Sequence, residues 1–302
     1  MQRIRNLFLK YQHVSPHKKT SPFIMPPEGS ISCPPEVWNS FSDLTHTTTY
    51  TFNKNRISFF HEGEDCDTMI QHVARMLHVI QVKPIVAEIY LSPVLKSYPE
   101  NRVFGESHLN TGYCDGKMIV VYRREEWFKV FIHECMHYFR SEEVLDHECT
   151  EILTMFHKKQ VNVFETYCEL CARVLNCCYI SAITHIPVNC LYEIERQYSI
   201  QNMVNVLHHM NLEYADLFDP HEFKEDTNAF AYIVLTAILM NAKVMPDYHP
   251  DTKFKLLSDD SFIQAVLKGA KSTSLFHDVH TRTPSITTTM TKLNVDEFVL
   301  HH

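Results

Sequence analysis

The sequence has no excess of basic residues: 28 Lys and Arg stand against 36 Asp and Glu, a formal net charge of -8. A nucleic-acid partner, which would favour a basic face, is therefore not expected. It also lacks any apolar run near the ~20 residues needed to span a bilayer. The longest candidate, Ala229 to Met240, reads as a buried helix, and no membrane partner is expected. The first ten residues hold two Arg and a short apolar patch, without the long apolar core and small-residue cleavage site of a secretory signal. An intracellular setting follows as the expectation, with the 10 cysteines reduced and acting as small buried apolar groups. Cys168-x-x-Cys171 has no second CxxC or matching Cys/His pair, which argues against a cysteine metal or redox site. No internal repeat is visible.

What is present is ordinary for a globular chain of 302 residues, with 45% hydrophobic and 21% charged residues. A chain this long buries a core without metal staples, so any metal serves chemistry rather than folding. Residues 1–39, rich in Pro, Ser and Lys, read as an extended arm. Residues 277–302 read as a loose Thr-rich tail. Removing residues 1–30 is accordingly expected to leave the fold intact, although such an arm can lie in a cleft and bring Cys33 near a metal.

Between the tails, residues 40–276 form one expected domain, divided into a sheet with its active-site helix (40–139) and a helical lobe (140–276). Thr48 to Phe52 and Arg56 to Phe60 are β-branched and aromatic around Asn53-Lys54-Asn55, which predicts a hairpin. Asp67 to Ile80 carries apolar residues at helical spacing, and Ile85 to Leu91 reads as a strand. His108 to Cys114 and Lys117 to Tyr122 flank Asp115-Gly116, a two-residue hairpin signal. After Arg123 the patterns are helical: 124–139, 146–157, 163–183, 191–210, 221–242 and 259–267. Strands first and helices afterwards predict an α+β fold.

The chemistry-bearing run is His133-Glu134-Cys135-Met136-His137. On a helix, residues four apart share a face with Cβ atoms ~5–6 Å apart, so both imidazoles reach one ion. Glu134 is not needed as a ligand and is free to act as general base towards a metal-activated water. The neighbours Trp127, Phe128, Val130, Phe131, Ile132, Met136 and Phe139 are apolar, so the helix is expected to be buried and its His-Glu-His group to need partners. The bland alternative is an ordinary amphipathic helix in a His-rich chain. A third ligand is still required. Glu165 and Glu169 lie four apart on a later helix, and the competing reading has them facing solvent with Arg173 paired to Glu169.

His133-Glu134-x-x-His137 with Glu165-x-x-x-Glu169 resembles the gluzincin peptidases. The resemblance implies a zincin-like fold, a small mixed N-terminal sheet with the HExxH helix followed by a mainly helical lobe. It implies Zn2+ held by His133, His137 and Glu165, with Glu169 orienting a histidine ligand from behind. It departs from that family in lacking Asn before the Glu, where Val163-Phe164 stands, and in its 27 residues between His137 and Glu165. Residues 80–240, with Asn110-Thr111-Gly112 and Arg124 to Val130 leading into HExxH, are also similar to uncharacterised zincin-like proteins of large DNA viruses, which implies a virus-encoded intracellular protein.

Two further sites follow. The strand before the helix corresponds to the substrate-binding edge of gluzincins, which places Asn110 and Gly112 against a substrate backbone; a plain hairpin strand is the alternative. Tyr232 or Asn228 is a candidate donor to a developing oxyanion, against simple core packing. His147 and the His208-His209 pair are weaker candidates for ligand or donor. The function expected is hydrolysis of peptide or isopeptide bonds in a peptide or protein substrate. The rival is an inactive zinc-binding structural or virion protein. Oligomeric state is not legible.

Overall fold

The computed structural model describes residues 1–140, 149–220, 222–245, 259–272 and 288–298. It is a mixed α+β fold with one six-stranded sheet and a helical lobe.

The N-terminus departs from the expected extended arm. Helix α1 (Gln2–Phe8) places Ile4 and Phe8 one turn apart, and both are buried. Phe8 meets Tyr179 edge-on at 5.3 Å between ring centroids. Strand β1 (His17–Pro22) then pairs along its whole length with β2 (His46–Phe52). Proline content hid the apolar i, i+4 pair of α1 and the register of β1. Between the two strands, Ile31, Val37 on α2 (Pro35–Ser40), Phe41 and Leu44 cover one face of the sheet, against Tyr90, Val120 and Tyr122. Cys33 packs with this cluster, away from the cleft described below.

β2 and β3 (Asn55–His61) form the expected hairpin, with a turn of two residues rather than three. Asn53 and Lys54 both have left-handed φ, 48° and 67°. That geometry matches the twist of the flanking strands. Asn55 joins the strand instead, and its side-chain oxygen accepts from the Ile85 amide at 3.0 Å. Helix α3 (Cys66–Ile80) starts where the Asp65 carboxylate accepts from the amides of Asp67 and Thr68. It returns the chain to β4 (Val86–Tyr90), parallel to β3.

The expected strand from His108 to Cys114 is only half a strand. Glu106–Leu109 forms a single helical turn, α4, and β5 covers Gly112–Cys114. The loop to β6 (Ile119–Val121) spans four residues, with Asp115 accepting from the amides of Lys117 and Met118. The sheet order is β1-β2-β3-β4-β6-β5, which leaves β5 at the far edge, antiparallel to β6. Ile57, Phe59, Ile89, Ile119 and Val121 turn to the helices while Phe60, Tyr90 and Val120 turn to the opposite face. This is the two-residue alternation of a strand.

Helix α5 (Trp127–Arg140) packs on β5 and β6, and the lobe follows: α6 (Thr150–Met155), α7 (Val163–Thr184) and α8 (Val188–His209). The expected helix 221–242 starts late. Residues 222–228 are irregular and bridge to Phe104, whose amide donates to Lys224 O at 3.1 Å. A π-helical turn, Phe230–Leu235, then runs into α9 (Thr236–Asn241). The Ala231 carbonyl inside that turn accepts from the hydroxyls of Thr166 and Thr236, at 3.2 and 3.0 Å. Helix α10 (Asp259–Lys271) is the last α-helix among the described residues.

Residues 288–298 are not loose. Met290, Leu293 and Val295 are buried, and Asn176 donates to the Leu293 carbonyl at 2.8 Å. Threonine composition concealed this, because the segment docks through its backbone more than through an apolar face. Among the described residues, no helix is long and apolar enough to cross a membrane.

Candidate metal centre

α5 is held by apolar side chains on most of its circumference, with Trp127, Phe131, Ile132 and Cys135 fully buried. The i, i+4 spacing then fixes the rings of His133 and His137 on the remaining face, 4.9 Å apart. The first turn of α7 brings Glu165 against both. Glu165 Oε2 lies 3.2 Å from His133 Nε2 and 3.1 Å from His137 Nε2, and the two Nε2 atoms are 3.1 Å apart. Ligands 2.0–2.1 Å from a tetrahedral ion lie ~3.3 Å from one another, close to this triangle. Two neutral imidazoles and one carboxylate are also a donor set suited to zinc. Among the described residues these three form the one His/Cys/Asp/Glu group of this compactness.

Electrostatics follow from the crowding. Burial works to lower the His133 pKa, but hydrogen bonds to Glu165 and Glu169 and the nearby Glu134 carry it to about 10. The Glu165 carboxyl is held far below the ordinary range, because the two imidazoles overcome its burial. Glu134 differs. Burial raises its pKa, and the neighbouring imidazoles offset this only in part. It contributes no atom to the triangle, and its side chain lies along the cleft.

Glu169 is fully buried behind His133, and its Oε2 is 3.1 Å from His133 Nδ1. Lys129 Nζ donates to both carboxylate oxygens at 3.1 Å, and Arg173 Nε donates to Oε1 at 2.8 Å. The Glu169–Arg173 pairing considered from spacing alone therefore exists, but inside the protein rather than in solvent. Burial works against ionisation of Glu169, but Lys129, Arg173 and His133 beside it hold its carboxyl well below the ordinary range. An ionised Glu169 fixes the proton on His133 Nδ1 and turns Nε2 towards the triangle. Neither Lys129 nor Arg173 is among the site residues that the motif spacing suggests. Lys129, one turn before His133 on a nearly all-apolar helix, was the available signal.

The triangle lies on a cleft of about 770 Å³, a volume in the usual range for ligand sites. One wall is the outer edge of β5, which pairs with no strand among the described residues; another is residues 157–162, and a third is residues 223–232. Tyr232, on the π-helical turn, stacks edge-on to His133 at 5.8 Å. Burial and the nearby carboxylates raise its phenol pKa far above normal, so it stays protonated and able to donate. Asn228 also lines the cleft, with its Nδ2 3.5 Å from Glu165 Oε1, and the Tyr232 hydroxyl is hydrogen-bonded to both Asn228 and Glu165.

Asn110 lines the cleft from the end of α4, not from a strand, and accepts from Thr227 Oγ1 at 3.1 Å. Gly112 begins β5, where a Cβ would sit 2.6 Å from the Val120 carbonyl. Its smallness thus serves the packing of β5 on β6 and α5. His209 is elsewhere, bonded to the Pro99 carbonyl at 2.8 Å, and His208 is exposed. His147 lies outside the described residues. None of the ten cysteines is in a disulfide, and Cys168 and Cys171 are buried in the core.

No family model matches this chain, and neither a curated protein nor a solved structure shows significant similarity to it.

Proposed function

We propose that the chain is a zinc-dependent peptidase of the gluzincin kind with a zincin-like fold, in which His133, His137 and Glu165 hold the metal and Glu134 is the general base. The observation that carries the reading is the triangle of His133 Nε2, His137 Nε2 and Glu165 Oε2 with sides of 3.1–3.2 Å, beside an unliganded buried carboxylate on the same cleft. A purely structural site has no use for that fourth group. When bound, zinc supplies Lewis-acid polarisation and a water acidified to a pKa of ~7.

The chain's own residues do the rest. Glu134, its pKa raised by burial, takes up the water proton and passes it to the departing amine. Tyr232 donates to the carbonyl oxygen as negative charge develops there. The outer edge of β5, unpaired with any strand among the described residues, offers backbone groups to an extended substrate, with Asn110 beside it. Glu169 holds His133 in the tautomer the metal requires.

The test is metal analysis together with a peptide-library cleavage assay, on the wild type and Glu134→Gln in parallel. The reading expects about one zinc per chain in both, and cleavage only in the wild type. Absence of zinc from the wild type, or equal cleavage by the variant, would overturn it.

A further inference from the structure

The charges behind His133 do not end at Glu169. Arg173, which grips Glu169, has its Nη1 3.6 Å from Glu195 Oε1 on α8. Lys129 faces the buried Glu126, whose other cation is Lys96 at 2.5 Å. Three cations (Lys96, Lys129, Arg173) thus meet three carboxylates (Glu126, Glu169, Glu195), and all six side chains are at least nine-tenths buried. Unsatisfied oxygens in such a network are costly. Further donors come from two successive backbone amides near the C-terminus, and the Thr291 hydroxyl is also hydrogen-bonded to Glu195. Thr291 N donates to Glu126 Oε1 at 2.6 Å, and Lys292 N donates to Glu195 Oε2 at 3.1 Å. Beside them, Met290 closes a small cavity shared with Lys129, His133, Glu134 and Glu169. The segment is fastened at Thr289, whose carbonyl accepts from Tyr198 Oη at 3.0 Å and Asn202 Nδ2 at 2.6 Å.

We propose that residues 288–298 are a positioning element of the metal centre, a strap that completes the buried charge network orienting His133. The mechanism is indirect. The strap touches neither metal nor substrate. Its amides neutralise the outer oxygens of Glu126 and Glu195, so that Lys129 and Arg173 stay directed at Glu169, and Met290 keeps water from the Lys129–Glu169 pair. Glu169 then holds the His133 Nδ1 proton in place. The inference rests on the zinc reading for its consequence, but the geometry it describes belongs to the metal-free chain as well.

The decisive variants in the full chain are Lys292→Pro, which deletes the amide donor, and Lys292→Ala, which keeps it while removing an exposed side chain. Met290→Ala opens the cavity. Tyr198→Phe loosens the strap from outside and serves should the proline variant fail to fold. Zinc affinity, by competition with a chelator, is expected to fall ~10–100-fold in Lys292→Pro and Met290→Ala, the usual loss for outer-sphere partners, and to stay at the wild-type value in Lys292→Ala. Tyr198→Phe should give a smaller loss in the same direction.

A second readout needs no metal. In the zinc-free chain labelled with 15N-histidine, the hydrogen-bonded Nδ1 proton of His133 should be protected from exchange in the wild type and Lys292→Ala, and broadened by exchange in Lys292→Pro. An unchanged Nδ1 proton in folded Lys292→Pro and Tyr198→Phe would overturn the strap, whatever the zinc result. A wild type that takes up no zinc but shows the expected Nδ1 behaviour would sink the peptidase reading and leave the strap standing.

Discussion

The two nitrogens of the His133 ring face different media. In front, Nε2 looks into an open cleft with His137 and Glu165, where the groups are partly exposed and few. Behind, Nδ1 meets Glu169 inside a dry cluster of fixed charges. The front is built from a single helix and one turn of another, at spacings dictated by helix geometry. The back is assembled from α5, α7, α8, the loop before α4 and the C-terminal strap. The comparison teaches that the candidate chemistry and the stability sit on opposite sides of one imidazole. Substitutions in front should change what the protein does, and those behind should change whether it holds together.

The largest expected effect is in front. Glu165→Ala should strip zinc almost completely, measured by metal analysis after desalting, while the metal-free chain keeps its circular dichroism. Retention of zinc with loss on His147→Ala would move the third ligand elsewhere. Next, Glu134→Gln should lower peptide cleavage by ~10²–10⁴-fold, the span of general acid–base catalysis, with little change in zinc content or melting point. Behind the ring, Glu169→Ala leaves Lys129 and Arg173 uncompensated in the interior. Breaking a buried ionic group in this way costs about 3–5 kcal/mol, readable by denaturant unfolding, and should weaken zinc ~10–100-fold. If the zinc loss for Glu169→Ala far exceeded that for Glu165→Ala, front and back would have to be exchanged.

Phe8→Ala sharpens the contrast from a third position. It empties a fully buried site between α1 and Tyr179, so stability should drop by about 3–5 kcal/mol with zinc affinity unaltered. Deleting residues 1–30 should do more, since it also removes β1. The smallest effect is a proton. In the metal-free chain His133 has a pKa of about 10, above the ordinary 6.5. Its contribution to stability is then complete below pH ~6.5 and is lost as pH rises through about 10. Zinc must displace that proton, so uptake near neutral pH should release about one per ion, and affinity should climb with pH. Calorimetry in buffers of different ionisation enthalpy measures the number directly.

The legible parts of the molecule are those where one element sets the geometry. The His133–His137 pair, the amphipathic run of α3 and the β2–β3 hairpin all follow from local periods. Glu165 and Glu169 were legible as a pair, because helical spacing gives them one face. The missed parts depend on meetings between distant segments. Pro and Ser in the first 39 residues and Thr in the last 26 masked backbone-mediated docking, which carries no hydrophobic period. The spacing leaves the Glu169–Arg173 pair open to a solvent-facing reading, and nothing local reveals that Glu126, Glu169 and Glu195 gather around Lys129 and Arg173.

The widened turn at Phe230–Leu235 has a consequence for how this region tolerates change in length. A π-helical turn accommodates about one residue more than an α-helical turn. Loss of one residue there would let the backbone relax to α while α9 kept its place in the lobe. The residues before and after the edit would then keep their angular phase, because the turn gives up only its surplus residue. Tyr232, inside the turn, is the side chain displaced from the His133 ring. A deletion in α9, which has no surplus to give up, would instead rotate the residues before it by ~100° relative to those after it, so the widened turn is the place where length can change with the least loss of phase between the scaffold and the site.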